Sequence, residues 1–597
     1  MLVADSRIKR LQVAVISCAF RCCLLSLFCL VCLSVHAATL EYTVSGLQGK
    51  TERNVLAFLG PAPQTNPERL NFLVSARSKV EQALQALGYY QPTIDLQTQR
   101  SEPVWQLEIA VDLGEPVRIR DISIVFLGSA ANDEAFTELL GNTNLVSASV
   151  LNHGKFDAFR KRVLSLGQQR GYLDAEILQS RVAVRADAGT ADIEFTYDSG
   201  KRYRFGEVVQ NEALLNRELL DALKPFQQGD FFDQARLREY QNNLQRTGYF
   251  SSVIVQPLRL LARQDEVPIE VKLHAANSHS FDVGIGYSTD TEERVSLTWR
   301  TPRINRYGHS QVTRLQYSPV NPSGRFTYSI PVYDPLNDVV QLWARTEKNE
   351  YGDLDSQQDE LGIRREIRKG QWIYGYSLRD LNESWEVLGI NSNDEYLLLG
   401  GSLSGRVQSG SLVNPASGFS QLYTLEAGNE QLGSVVDLLR LTAEFRVVLT
   451  PWPRQRFVSR AEFGVVEIAN GDRFELAPSL NFFAGGSQSI RGYAYQSLGD
   501  EIVVDEGNGR TKTLVVGGDR LVTGSLEYQY YFTDVWRGAL FVDGGDAFDE
   551  GEFDANYGVG FGVHYITPVG AVRVELANSV SDENPDWYLH LSIGAEF

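Results

Sequence analysis

The chain has 597 residues, and its 56 Lys and Arg residues against 75 Asp and Glu residues give a formal net charge of −19 at pH 7. This length predicts several domains rather than one hydrophobic core. The negative charge repels phosphate and argues against nucleic acid as a partner.

Residues 1–37 have the pattern of a secretory signal peptide. A basic stretch at residues 7–10 precedes an apolar run over residues 22–35, and Ala37 ends a small-residue cleavage site. The alternative is an uncleaved membrane anchor, although the apolar run is short for a span of about 20 residues. We expect cleavage before Ala38, which leaves 52 basic and 74 acidic residues (56−4 and 75−1) and a net charge of −22.

The cysteines all lie inside this segment, at Cys18, Cys22, Cys23, Cys29 and Cys32. The chain from Ala38 onward has no thiol, which suits a protein that crosses an oxidising compartment where stray disulfides would trap it. This composition excludes thiolate metal sites, disulfides and cysteine nucleophiles from the expected mature chain.

A unit of strand, helix, helix, strand and strand recurs three times before residue 278. Its clearest marker is a glycine followed by an aromatic residue at the end of a helix, at Gly88, Gly171 and Gly248, with intervals of 83 and 77 residues (171−88 and 248−171). Glycine just past a helix takes the left-handed conformation at little cost. Apolar residues at helical and then alternating spacing predict the remaining elements.

This order of elements resembles the polypeptide-transport-associated (POTRA) domain. The resemblance implies three POTRA domains, at residues 38–114, 115–199 and 200–277. The alternative is three unrelated α+β modules that share a similar length. Edge strands of such domains can add an extended client strand through main-chain hydrogen bonds.

From Phe281 onward, apolar residues alternate with small or polar ones, as in a β-strand whose two faces meet different environments. The clearest examples are residues 557–565 and 587–597. Such alternation also suits a soluble sandwich with one buried face. Aromatic residues at strand ends, a polar loop predicted at residues 347–360 and the terminal Phe597 favour a transmembrane barrel.

Eleven strands are predicted before a long loop and five after it. The sum of sixteen is even, as closure of an antiparallel bacterial barrel requires. The predicted fold is therefore three α+β POTRA repeats followed by a 16-stranded antiparallel transmembrane β-barrel at residues 278–597. The strands are expected near residues 281, 293, 308, 323, 337, 356, 371, 395, 418, 434, 456, 521, 537, 557, 570 and 587.

The long loop carries the segment FFAGGSQSIRGY at residues 482–493. Together with NPASGF at residues 414–419 and the aromatic C-terminus, this segment resembles the superfamily of outer-membrane assembly and translocation proteins that includes BamA. The three POTRA units and LVTGSLEYQYYF at residues 521–532 are most similar to its TamA-type members. The resemblance covers nearly all of the chain after residue 37.

The resemblance implies that the loop, at about residues 474–520, folds back into the barrel. Arg491 would then touch acidic residues of the inner wall, with Gly492 and Tyr493 beside it. Independently of this resemblance, the alternation of apolar residues predicts that the side chains of Glu527 and Asp543 point into the barrel. We expect these five residues to lock the loop to the lumen, and the alternative is that Arg491 is a solvated surface charge.

The resemblance also implies that the first and last strands meet at a weak lateral seam. Glycines weaken strands, and an unpaired edge in lipid would template an incoming β-hairpin. The residues expected at this seam are Gly284, Gly286, Ile593 and Gly594. Trp587 and Phe597 resemble the C-terminal aromatic signal that the barrel assembly machinery reads.

Motifs of catalysis are missing from the sequence: there is no nucleophile elbow, no His-Glu-x-x-His and no phosphate loop. The seven histidines are scattered, and none has the spacing of a metal-ligand pair. We therefore expect no enzyme activity, no cofactor and no metal.

The function implied is assembly or translocation of β-barrel and autotransporter-type clients in the outer membrane of a Gram-negative bacterium, with the POTRA domains in the periplasm. The implied partners are these clients, outer-membrane lipid and a TamB-like periplasmic protein anchored in the inner membrane. One alternative is a two-partner secretion transporter, which typically carries two POTRA units and a plugging helix. A passive porin is another, but it leaves the residues before 278 unexplained.

Overall fold

The structure is a computed structural model that describes residues 39–594, apart from 102–103, 212–213, 388–389, 412–413, 471–475, 508–509, 569 and 582–584. The predicted signal peptide and Phe597 lie outside the described residues. The chain divides into two compact units, one formed mainly by residues before Phe205 and the other mainly by the barrel. Among the helices of the described residues, none has the length and apolar character needed to cross a membrane.

Three α+β modules precede the barrel, and each has the predicted order of strand, helix, helix, strand and strand. The first contains β1 (Thr39–Ser45), α1 (Lys50–Leu59), α2 (Asn66–Gln85), β2 (Thr93–Arg100) and β3 (Val104–Asp112). The second contains β4 (Arg118–Leu127), α3 (Glu134–Gly141), α4 (His153–Arg170), β5 (Glu176–Arg185) and β6 (Thr190–Asp198). The third contains β7 (Arg204–Gln210), α5 (Arg217–Ala222), α6 (Gln234–Arg246), β8 (Phe250–Pro257) and β9 (Glu266–Ala275).

Each module forms a three-stranded mixed sheet with its last strand in the centre, in the orders β1-β3-β2, β4-β6-β5 and β7-β9-β8. In the first two modules the opening strand runs parallel to the central strand, and the other edge strand runs antiparallel to it. The sheets pack their apolar faces against the helices. In α4, Phe156, Phe159 and Val163 lie at helical spacing and are all buried, as the pattern predicts.

The Gly-aromatic marker of each of the first two modules lies against the module that follows it. The carbonyl of Gly88 accepts a hydrogen bond from the Val117 amide at 2.8 Å. The carbonyl of Gly171 accepts one from the Tyr203 amide at 3.0 Å. Gly171 has a φ of 88°, and a Cβ there would lie 2.7 Å from the Cβ of Phe232. The markers are therefore joints between modules as well as helix ends.

The third marker contacts the barrel through its aromatic residue. The hydroxyl of Tyr249 donates to the carbonyl of Gly308 at 2.8 Å, in the turn that joins the second and third barrel strands. The backbone amide of Asn216 also donates to the Arg306 carbonyl of this turn at 2.7 Å. These two hydrogen bonds to backbone carbonyls hold that part of the third module on the barrel turn.

Sixteen antiparallel strands form a closed barrel in which each strand pairs with the next barrel strand along the chain and the last pairs with the first, which confirms the predicted fold. They are β10 (Ser280–Ser288), β11 (Glu292–Thr301), β12 (Ser310–Tyr317), β13 (Ser323–Pro331), β14 (Asp338–Tyr351), β15 (Leu354–Lys369), β16 (Trp372–Val387), β17 (Ile390–Gly410), β18 (Pro415–Gly428), β19 (Asp437–Trp452), β20 (Gln455–Asn470), β23 (Arg520–Tyr531), β24 (Trp536–Phe548), β25 (Asn556–Thr567), β26 (Gly570–Ser579) and β27 (Trp587–Gly594). The strands β21 (Glu501–Gly507) and β22 (Arg510–Val515) form a separate hairpin within the long loop.

The prediction of a polar loop at residues 347–360 is wrong. β14 and β15 run through this segment and are joined by a turn at residues 352–353. The side chain of Arg345 pairs with those of Glu347 and Glu360, and an Nη1 to Oε1 distance of 3.4 Å joins Arg345 to Glu360. A polar barrel interior accepts such residues on one face of a strand, so polarity here does not signal a loop.

The long loop between β20 and β23 folds into the barrel and buries apolar side chains there. Seven of its residues join nine wall residues in one buried hydrophobic cluster. The loop residues are Leu476, Ala477, Leu480, Phe482, Ala484, Ile490 and Tyr493. The wall residues are Leu381, Trp385, Tyr396, Leu398, Val436, Leu438, Val466, Leu521 and Ala547. Burial of this area stabilises the inward position of the loop.

Candidate functional site

Neighbouring strands at one side of the barrel present carboxylates to the lumen. Leu526 and Leu540 point outward and are 63% and 61% exposed, so the alternation of β23 and β24 turns Glu527 and Asp543 inward. Glu575 comes from the inner face of β26 and is also buried. Glu575 was not among the predicted site residues, although its place in the alternating segment AVRVELAN offers the same signal.

Arg491, at the tip of the inward loop, meets all three carboxylates and is 2% exposed. Its Nε donates to Asp543 Oδ2 at 2.7 Å and its Nη2 donates to Oδ1 at 2.9 Å, which makes the pair bidentate. Its Nη1 donates to Glu527 Oε2 at 2.7 Å and to Glu575 Oε1 at 3.1 Å. The backbone amide of Arg491 also donates to Asp543 Oδ2 at 3.0 Å.

Two further contacts fix the position of the guanidinium. Its Cζ lies 3.4 Å from the centre of the Phe541 ring, and Nη2 donates to Ser525 Oγ at 3.2 Å. The backbone of Arg491 presses against β25, where a Cβ at Gly558 would lie 1.6 Å from the Arg491 carbonyl oxygen. Only glycine at position 558 lets the loop approach this closely.

A second buried cation continues the network on the same wall. His564 Nε2 lies 2.9 Å from Glu575 Oε1, and Arg537 Nε donates to His564 Nδ1 at 3.1 Å. Because Nδ1 accepts, Nε2 carries the proton and donates to Glu575. Arg537 Nη1 also donates to Asn414 Oδ1 at 3.2 Å, so the predicted NPASGF segment borders this network.

Glu527, His564 and Glu575 bring one ligand atom each within 4.8 Å of one another, a spacing that could hold a metal ion. The guanidinium of Arg491 already donates to both carboxylates. A divalent cation at this point would face a buried positive charge at short range, which is strongly unfavourable. The arrangement therefore suits an internal ion-pair network better than a metal centre.

Gly492 and Tyr493 fasten the loop to the last two strands. Gly492 has a φ of 106°, its amide donates to His590 Nε2 at 3.4 Å, and a Cβ there would lie 3.0 Å from the backbone of Asn578. The hydroxyl of Tyr493 lies 2.7 Å from Ser581 Oγ. The motif residues predicted to act together are thus in contact with β26, β27 and the connection between them.

The start of the loop is held by a different part of the wall. The amide of Ser479 donates to Glu383 Oε1 of β16 at 3.1 Å, and its hydroxyl donates to the other oxygen of that carboxylate. Arg440 Nε of β19 donates to the Leu480 carbonyl at 3.1 Å, and the Ala477 amide donates to Tyr396 of β17 at 2.9 Å. No local motif in the sequence marks these anchors.

The first and last strands of the barrel share very little pairing in the described residues. Ser288 and Ser592 are the one pair in register, with an added hydrogen bond from the Thr289 amide to the Leu591 carbonyl at 3.3 Å. Neighbouring strands at the other boundaries of the barrel pair over at least seven residues, as β11 does with β12. The closure of the barrel therefore has far fewer main-chain bonds between described residues than any other strand boundary.

The predicted seam residues lie next to this closure, but in the structure they pair with the strands on its far sides, β11 and β26. Gly284 and Gly286 pair with Ser296 and Arg294 of β11, whereas Ile593 and Gly594 pair with Val572 and Ala571 of β26. Ser288 and Ser592 were not among the predicted seam residues, because residue patterns carry no information about the register between the first and last strands. Trp587 pairs with Asn578 and is exposed on the outer surface.

Comparisons with known proteins agree with this fold. The Omp85 superfamily domain matches residues 276–597. The description "POTRA domain TamA domain 1" matches residues 41–113, and the POTRA family described as "Surface antigen variable number repeat" matches residues 203–275.

Two curated relatives are outer membrane protein assembly factors named BamA. The protein from Nitratidesulfovibrio vulgaris is 25% identical over 422 residues, which are 68% of this chain and 52% of the relative. The protein from Neisseria meningitidis serogroup B is 27% identical over 168 residues, which are 26% of this chain and 21% of the relative. The chain therefore spans about half the length, or less, of these relatives.

A solved structure, BamA from Haemophilus ducreyi lacking POTRA domains 1–3, has the same fold. It superimposes with a TM-score of 0.70 at 14% sequence identity and covers 80% of this chain and 99% of that one. The superfamily match extends over the whole barrel, including the loop that carries Arg491. With its POTRA modules and closed 16-stranded barrel, the chain belongs to the Omp85 superfamily of outer-membrane proteins.

Proposed function

We propose that this chain assembles or translocates outer-membrane proteins, and that β-barrel and autotransporter-type clients enter the membrane through the seam between β10 and β27. The observation that carries this proposal is that, among the described residues, Ser288 and Ser592 are the one opposed pair between these strands. Few main-chain bonds must break to part these strands, so this boundary is the easiest one to open.

An opened seam would present a strand edge whose N–H and C=O groups have no water to bond in the bilayer core. An incoming client strand would satisfy these groups by pairing with the edge. Gly284 and Gly286 would lower the cost of bending β10 outward, since glycine weakens a strand interior. Folding of the client in the membrane would supply the free energy, so no nucleotide is required.

The lock residues Arg491, Gly492, Tyr493, Glu527 and Asp543 would keep the loop inside the barrel while the seam moves. Their contacts lie on β23 to β27 and on the connection before β27. We propose that this wall stays rigid and that the opposite edge of the seam moves.

Within the superfamily, we propose that the chain is of the TamA type and acts with a TamB-like periplasmic protein anchored in the inner membrane. The match of the TamA-type first POTRA domain to residues 41–113 supports this. Affinity purification from crosslinked envelopes tests it. A large inner-membrane partner recovered with several barrel proteins would support the proposal, whereas one secreted exoprotein alone would favour a two-partner secretion transporter.

A disulfide across the seam tests lateral opening. Ser288→Cys and Ser592→Cys would face each other in register, at the 4.5 to 5.5 Å spacing of opposed antiparallel residues that a disulfide accepts. We expect oxidation to block surface display of an autotransporter-type reporter and reduction to restore it. Each single cysteine variant is the control. Unchanged display with the crosslink complete would overturn lateral opening.

A further inference from the structure

The inward loop reaches the first strand edge as well as the last one. The amide of Ser487 donates to Asp290 Oδ2 at 3.0 Å, and the Ser487 hydroxyl donates to the same oxygen at 2.5 Å. Asp290 lies in the turn between β10 and β11, two residues after the paired Ser288. Its side chain is 10% exposed, so these two hydrogen bonds lie mostly out of water.

Four and five residues further along, the same loop segment reaches the other side of the seam. Arg491 bonds to Glu575 of β26, and the Gly492 amide donates to His590 Nε2 of β27. Because Nε2 accepts, a neutral His590 carries its proton on Nδ1. That nitrogen lies 3.7 Å from Asp290 Oδ1, too long for a hydrogen bond but close enough for attraction.

We propose that residues 487–492 form a clasp that holds the β10–β11 hairpin against β27 from inside the barrel, with Asp290 as the positioning residue on the hairpin side. The proposal deepens the lateral-opening function and rests on it. In the described residues the strands themselves contribute one pair and one added hydrogen bond. Two bonds to a buried carboxylate therefore outweigh the pairing that they accompany, since bonds to charged groups are the stronger kind.

The loop is bonded more strongly to the β23–β27 wall than to the β10–β11 hairpin, and this difference predicts which edge of the seam moves. Arg491 is held by three carboxylates, whereas the described hydrogen bonds between Asp290 and the loop come from Ser487 alone. Opening of the seam would therefore break the Asp290 contact first and leave the loop on the β23–β27 wall. A cavity of about 510 Å³ lies on the lumen side of this contact, lined by Ser288, Asp290, Ser487, Arg491 and Ser592 among others.

The disulfide pair Ser288→Cys and Ser592→Cys measures closure without any client. The rate of disulfide formation under mild oxidation, in the full-length protein in membranes, reports how often the two edges meet. We expect Asp290→Ala to lower this rate about tenfold, because loss of both bonds favours the open seam. Ser487→Ala, which keeps the amide bond, should lower it less.

Asp282→Ala is the matched control, because Asp282 lies on the same hairpin but pairs with Arg300 of β11. It should leave the crosslinking rate unchanged. Heat-modifiable migration on gels confirms that each variant is a folded barrel, and the milder Ser487→Ala variant serves if Asp290→Ala fails to fold. Protease protection of residues 477–493 should persist in Asp290→Ala, since Arg491 still holds the loop.

Equal crosslinking rates in wild type, Asp290→Ala and Ser487→Ala would overturn the clasp. So would a loss of loop protection in Asp290→Ala, since the loop would then depend on the hairpin. These outcomes differ from failure of the proposed function, in which the reporter is displayed normally although the disulfide is complete.

Discussion

Arg491 and Asp543 meet in the barrel lumen through two parallel hydrogen bonds, Nε to Oδ2 at 2.7 Å and Nη2 to Oδ1 at 2.9 Å. The two residues are 52 positions apart in the chain, and both are buried. A planar fork facing a carboxylate in this way is specific to arginine, since lysine offers a single point charge. This pair joins a residue of the long loop to the inner wall of the barrel.

The first prediction concerns loss of this arginine. Arg491→Ala leaves three carboxylates without their shared cation, and breaking a buried pair costs about 3 to 5 kcal/mol. We expect the barrel still to insert in the membrane and the loop to be released, because the pairing of sixteen strands keeps the barrel folded without this ion pair. Proteinase K should then cut within residues 477–493, which are protected in the wild type.

Arg520→Ala is the control for this experiment, because Arg520 follows the same loop but pairs with Glu467, whose side chain is 62% exposed. Such pairs contribute about 0 to 1 kcal/mol. Arg491→Lys should protect the loop only partly. Equal protection in wild type and Arg491→Ala would show that the apolar cluster alone holds the loop.

The second prediction concerns coupling within the network. Glu527→Gln and Arg491→Ala remove two ends of one 2.7 Å contact. Their effects on loop protection should therefore be far from additive, with the double variant scarcely worse than Arg491→Ala alone. Loop-cleavage rates of the four proteins in this cycle measure the coupling. Strict additivity would contradict a shared network.

The third prediction concerns the joint between the second and third modules. Gly171→Ala places a Cβ 2.7 Å from the Cβ of Phe232 at a φ of 88°. Overpacking of this kind costs about 1 to 3 kcal/mol. We expect faster proteolysis of the full chain near residues 199–204, where the two modules join.

Gly189→Ala separates strain from contact in this test. Gly189 has a φ of 63°, and an added Cβ there meets no atom within 4 Å. Both variants carry the cost of a left-handed alanine, but Gly171→Ala alone disturbs the neighbouring module. If the two variants are cleaved at residues 199–204 at the same rate, the joint has no mechanical role.

The fourth prediction concerns acid stability of the second module. Burial by itself would raise the pKa of Asp133, but hydrogen bonds from Arg170 Nε at 2.8 Å and the Tyr172 hydroxyl at 2.7 Å lower this pKa below its ordinary value. A depressed folded-state pKa contributes stability above the unfolded pKa of about 3.9. That stability is lost as the pH falls through the lower folded-state pKa.

Hydrogen exchange of α3 and α4 amides between pH 6 and pH 2 measures this loss in the full chain. Asp133→Asn should weaken protection at pH 6 and flatten its decline in acid. Asp157→Asn, which changes an exposed acid of the same module, should do neither. A decline of equal steepness in wild type and Asp133→Asn would assign acid sensitivity to other carboxylates.

Local pattern was sufficient for most of the barrel. Alternation along β23 and β24 predicts that Glu527 and Asp543 face inward, because a strand has only two faces, and both carboxylates lie within hydrogen-bond distance of Arg491. The same logic failed at residues 347–360, where two charged strands were taken for a loop. Glu347 and Glu360 face the polar lumen, whereas Lys348, Asp355 and Asp359 are exposed on the other face. Sequence polarity does not distinguish such strands from a loop in bulk water.

The sequence by itself determined the number and order of the barrel strands and of the elements in the three modules, since residue periodicity and glycines at helix ends act over a few residues. It did not indicate the β21–β22 hairpin inside the long loop. Only the tertiary structure decided which side chains meet across the lumen. Arg491 contacts Glu575 from 84 positions away, and Ser487 contacts Asp290 from 197 positions away. Closure of the barrel determines these long-range contacts, because strand register and loop position depend on the packing of all sixteen strands at once.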